Sequence, residues 1–132
     1  MLVPMGIVRE YLKQWIAGDE PQDTILLDFV VGCAAGYPGF LPADGQWAWT
    51  GAGKPPRFLQ SFQIAEKLVP VDCTIEIRRD THQRYSAVVR SNLEDQDPTP
   101  ALGRSAAAAL ALGALRARSR ARWEGRPVFQ QQ

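Results

Sequence analysis

In two runs between Cys73 and Arg90, apolar residues recur at every second position. In "CTIEIRRD", Cys73, Ile75 and Ile77 alternate with Thr74, Glu76 and Arg78; in "QRYSAVVRS", Tyr85, Ala87 and Val89 alternate with Ser86, Val88 and Arg90. A period of two sends successive side chains to opposite faces, so both runs are expected to be half-buried strands. Pairing Ile77 with Tyr85, Ile75 with Ala87 and Cys73 with Val89 gathers the apolar set on one face and leaves Asp80, Thr81 and His82 as the turn. A hairpin with one wet face must cover the other, and the flanking sequence supplies helices to do it.

Three of these helices precede the hairpin. Ile7, Val8, Tyr11, Leu12, Trp15 and Ile16 form a one-sided stripe that Gly18 ends. The second begins where Asp19 or Glu20 can cap and Pro21 suits a first turn, carries Ile25, Leu26, Phe29, Val30 and Cys33 at helical spacing, and stops at Gly36 and Pro38. The third places Phe58, Phe62, Ala65 and Leu68 near one face, bounded by Pro70. After the hairpin, Thr99 offers an N-cap with Pro100 at the first helical position, and the acidic Glu94, Asp95 and Asp97 lie where a helix dipole favours negative charge. From Leu102 to Leu115 alanine and leucine occupy every face, as in a helix covered from several sides.

Between the second and third helices, Gly36 to Arg57 holds five glycines and four prolines. This reads as a long loop with one short strand at Gln46 to Thr50. The expected fold is therefore a single α/β (α+β) domain, a small antiparallel sheet sandwiched by helices. A chain of 132 residues can bury a core without disulfides or metal. Cys33 and Cys73 stand apart from each other and from any histidine, so both are read as small buried residues and no metal or cofactor is expected. Arg9, Glu10 and Lys13 interrupt the first apolar segment, arguing against a signal peptide or spanning helix and for a soluble, cytoplasmic protein. With a formal charge of +1, no global field favours nucleic acid or membrane, and any electrostatic function must come from local clusters.

Three stretches carry a resemblance to a known family: "DTILLDFVVGCAAGYP", "FQIAEKL" and the run "YSAVVRS" followed by "DPTPALGRSAAAALALGAL". Over roughly residues 23 to 116 the chain resembles the phage ABA sandwich domain family, small bacteriophage and prophage proteins, in its leading helix, its middle helix, and its closing strand, acidic loop and final helix. Two departures stand out. "KPPRF" replaces the Ser-Thr turn that opens the family's middle helix, and the first helix and the Trp47 and Trp49 loop are additions. The family has no general assigned activity, so the resemblance implies a phage origin and an α/β sandwich.

The chain contains no recognisable nucleophile–base set, metal-ligand spacing or phosphate loop. His82, the only histidine, is read as a turn residue, and "EDQD" as an acidic approach to the helix after it. "GAGKPP", Gly51 to Pro56, lacks the spacing and the following Ser or Thr of a phosphate loop. Trp47 and Trp49, two residues apart, point the same way on an extended segment. They can lid the core, or they can stack on a planar ligand or partner with Lys54 and Arg57 beside them for phosphates. Arg116, Arg118, Arg120, Arg122 and Arg126 step by two or four and so wind around a helix axis. They read as a solvated helix end, with the chain beyond Arg118 dispensable for folding and with partner contacts or phosphate binding as alternatives. The function expected from these features is binding without catalysis, as a phage or prophage accessory protein in counter-defence. It would act on a host protein or by sequestering a small nucleotide signal. The alternative is sequence-independent nucleic-acid binding through Arg116, Arg118, Arg120 and Arg122.

Overall fold

The computed structural model describes residues 1–79, 84–92 and 98–123, the side chains of 122 and 123 excepted. The fold is α+β: among the described residues there are four helices and two antiparallel three-stranded sheets. The chain divides into two compact units, 1–57 and 58–132, each with its own sheet.

The first unit runs β1 (Leu2–Pro4), α1 (Met5–Ile16), α2 (Thr24–Ala35), β2 (Phe40–Ala43) and β3 (Gln46–Trp49), with strand order β1-β3-β2. Helix α1 buries Val8 and Trp15 and half-buries Tyr11 and Leu12, a stripe at helical spacing. Ile7 and Ile16, at the edges of the expected stripe, are exposed. Helix α2 is capped neither by Asp19 nor by Glu20. Asp23 takes that place, its Oδ1 accepting the Leu26 N–H at 3.0 Å, and Pro21 lies ahead of the helix. The helix ends as expected at Gly36, whose left-handed conformation lets the Gly36 and Tyr37 N–H groups bond back to the carbonyls of Cys33 and Gly32. From Leu27 to Cys33 every residue is buried, so the middle of α2 is enclosed on all sides, whereas Ile25 in its first turn is exposed.

The expected long loop is largely a hairpin. Strands β2 and β3 close at the pair Ala43↔Gln46, leaving Asp44 and Gly45 as a two-residue turn with φ of 52° and 77°. Both central residues at positive φ make the tight turn whose twist matches its strands. Pro42 is accommodated because β2 lies at the sheet edge. The remaining edge is β1, which pairs Leu2 with Ala48 and Val3 with Trp47.

The second unit runs α3 (Phe62–Glu66), β4 (Cys73–Arg79), β5 (Tyr85–Ser91), β6 (Ala101–Gly103) and α4 (Ala106–Trp123), with strand order β4-β5-β6. The β4–β5 hairpin has the expected faces but not the expected register. Ile77 pairs with Ala87, Ile75 with Val89 and Cys73 with Ser91, a shift of two residues, which preserves every face assignment. Among the described residues the last pair of the ladder is Arg79↔Tyr85, where the guanidinium lies 5.9 Å from the ring centroid. The expected turn residues Asp80, Thr81 and His82 lie outside the described residues, as does "EDQD".

The largest departure is at Thr99. No helix starts there; Ala101–Gly103 forms β6 against Tyr85–Ala87, and α4 begins at Ala106 with Ser105 Oγ accepting the Ala108 N–H at 3.0 Å. Pairing wins over the local cap signal because it buries Ala101 and Gly103 on the core face. Gly103 is needed there: an added Cβ would lie 2.4 Å from the backbone nitrogen of Ala109, since the first turn of α4 folds directly onto the strand. The core of this unit joins Ala65, Val89, Ala107, Leu110 and Ala117, with Phe62, Val69, Cys73, Ile75 and Ile77 partly buried against it.

Candidate binding surfaces

The two tryptophans share a face of β3, as their spacing predicts, and Phe40 and Val3, both 4% exposed, belong to that face. Trp49 is built into the first unit. Its ring lies 4.8 Å from that of Phe40, which meets Phe29 edge-on at 5.1 Å. Its Nε1 donates to the Gly53 carbonyl at 3.1 Å, and Cβ atoms at Gly39 or Gly51 would each come within 2.3 Å of the indole. The backbone at both glycines therefore lies against the ring. Thr50 secures the same corner, bonding the Gly39 carbonyl through its N–H and its hydroxyl. Trp49 thus packs on the Phe40–Phe29 aromatic row of its own unit and is, by exposure, half-buried. Trp47 is half-buried, while Lys54 and Arg57 are exposed. The Gly53 carbonyl in "GAGKPP" is committed to the indole.

The opposite face of this sheet escaped the sequence reading. Alternation places Leu2, Pro4, Leu41, Ala43, Gln46 and Ala48 there, and Leu2, Ala48 and Leu41 stand in one row across the three strands. Leu2 is 63% and Leu41 54% exposed, and no residue of the face is charged. The signal for it was the Asp44-Gly45 turn, which converts an apparent loop into two alternating strands.

Within the arginine row, Arg118 and Arg120 serve the second unit's interior. Arg118 is 2% exposed and donates from Nη1 to the Leu68 carbonyl at 2.8 Å. Arg120 Nη2 donates to the Val89 carbonyl at 2.7 Å, and Arg116 Nη1 to that of Pro100 at 3.4 Å. Topology explains the need. Strand β6 stops pairing at Ala87, so the Val89 carbonyl on the same edge of β5 has no strand partner, and Arg120 satisfies it. The expected solvated end is thus a helix that continues to Trp123 with Ala117, Arg118 and Ala121 buried. The side chain of Arg122, and all of Arg126, lie outside the described residues.

Neither cysteine is in a disulfide; Cys33 is buried and Cys73 half-buried. Burial pushes the Cys33 thiol up to about 12, which keeps it protonated and unreactive near neutrality. Among the described residues no group of three or more His, Cys, Asp or Glu could hold a metal ion, and no helix is long and apolar enough to cross a membrane. No family model matches the chain, and no curated protein or solved structure matches it.

Proposed function

We propose that the chain is a binding protein without catalytic activity that docks on a host protein through the outer face of its first sheet, as a phage or prophage accessory protein in counter-defence. The observation carrying the docking surface is the uncharged row Leu2–Ala48–Leu41, with both leucines more than half exposed. Contiguous apolar surface free of charge favours a protein partner over a nucleotide or a phosphate backbone. The commitments of Trp49 and of Arg116, Arg118 and Arg120 point the same way, because these groups already hold partners inside their own units. The phage and counter-defence part of the reading draws on the sequence resemblance over residues 23 to 116.

The test pairs Leu2→Glu with Leu41→Glu. Both side chains are exposed, so thermal stability should hold while protection of phage growth in a defended host is lost, together with a photo-crosslink placed at position 48. A variant that keeps both its stability and its full protective activity would overturn the reading.

A further inference from the structure

The sheet of the second unit has two unlike edges. At β6 the strand is three residues long, and Arg116 donates to the carbonyl of Pro100, just before it. At β4 the strand is seven residues long. The Asn92 N–H bonds to the Asp72 carbonyl, so in this ladder Asp72, Thr74, Glu76 and Arg78 direct their backbone groups toward β5. Ile75, Ile77 and Arg79 direct theirs outward, and no backbone bond from Ile75 or Ile77 reaches any described residue outside the ladder. The core-facing row is also unfinished on this side: Ala87, Val89 and Ser91 of β5 are buried, whereas Cys73, Ile75 and Ile77 of β4 are only half-buried. Open backbone groups beside a half-covered apolar row fit one more strand.

The charges on β4 select which strand. Glu76 and Arg78 are exposed on the outer face and joined to each other at 2.6 Å. In an antiparallel pairing of β4 with a second β4 centred on Ile77, outward-directed residues meet as hydrogen-bonded pairs, Ile77 with Ile77 and Ile75 with Arg79. Glu76 of each copy then faces Arg78 of the other in the closer, non-hydrogen-bonded positions. Centring one step earlier would set Glu76 against Glu76. The strand is thus self-complementary in one register, and by symmetry each favourable charge pair occurs twice. We propose that two copies of this chain associate through antiparallel pairing of their β4 strands, forming a continuous six-stranded sheet with reciprocal Glu76–Arg78 pairs. This contact is separate from the apolar face of the first unit.

Sedimentation of the full chain over a wide concentration series should give a monomer–dimer equilibrium, with the Ile75 and Ile77 amides exchanging more slowly at high concentration. Glu76→Arg sets like charges opposite each other twice and should weaken the dimer by about tenfold or more, and Arg78→Glu should do the same. Both sites are exposed, so the melting temperature of the monomer should not move. Mixing the two single variants, or combining both changes in one chain, should restore association. A chain that stays monomeric throughout would overturn the proposal, as would a dimer indifferent to both single changes or single variants that neither mixing nor combination rescues.

Discussion

Replacing Gly32 with alanine sets two effects of opposite sign against each other. In an exposed helix, alanine is favoured over glycine by about 1 kcal/mol, so a helix-propensity argument predicts a more stable protein. Packing predicts the reverse. A Cβ at position 32 would lie 2.2 Å from Cε2, 2.3 Å from Cζ and 2.8 Å from Cδ2 of Phe40. Ordinary carbon–carbon contacts lie at about 3.5–4.0 Å, so the ring would have to retreat by over ~1 Å. Its way is closed by Phe29 at 5.1 Å and Trp49 at 4.8 Å, and Trp49 is itself fixed by its bond to Gly53 and by the backbone at Gly39 and Gly51. Overpacking a rigid site costs about 1–3 kcal/mol, and the upper end applies where no neighbour can yield. Subtracting the helix gain leaves a net loss of about 1–2 kcal/mol, visible in urea titration as a lower midpoint at unchanged slope. Gly6→Ala in α1 is the control, since nothing lies within 4 Å of its Cβ position, and it should be neutral or stabilising. Adding Phe40→Leu to Gly32→Ala should recover part of the loss as a coupling of about 1 kcal/mol. A Gly32→Ala protein as stable as the parent, or more so, would refute this account of the aromatic row.

Ending the chain after Arg118 should cost about 3 kcal/mol or more in urea unfolding, because it leaves the Val89 carbonyl without Arg120 and removes the buried Ala121; a truncated chain with parental stability would show that these contacts contribute nothing. For Cys33, the folded-state value of about 12 lies above the ordinary 9.0, so folding favours the protonated thiol. That contribution is present in full below pH 9.0 and fades as the pH rises toward 12, and Cys33→Ala should flatten this alkaline decline in the urea midpoint.

Alternation made the faces of the β4–β5 hairpin legible from sequence, yet it left the register open, since a two-residue slip moves no side chain to the other face. The last described pair of the ladder, Arg79 with Tyr85, joins a charged and an aromatic residue that a purely apolar matching passes over. The helix start misread at Thr99 has a different cause. Local cap chemistry there was sound, and it lost to a tertiary gain, the pairing of Ala101 and Gly103 with β5, that no local pattern encodes. In the Gly- and Pro-rich stretch, the Asp44-Gly45 turn was a readable hairpin signal obscured by its surroundings. The winding of the arginines around their helix was correctly inferred. Their partners were not; the Val89 carbonyl, for one, needs a donor only because β6 stops pairing at Ala87.

That winding also sets an order in time. The Arg116, Arg118 and Arg120 bonds reach back 16, 50 and 31 residues, to Pro100, Leu68 and Val89. During synthesis these carbonyls must wait in water until the last turns of α4 leave the ribosome, so the second unit cannot complete itself piecemeal. The first unit has no such debt to later sequence in its sheet: β1, β2 and β3 are all present once Trp49 has emerged. A nascent chain can therefore present Leu2, Ala48 and Leu41 on a formed sheet while the second unit is still unfinished.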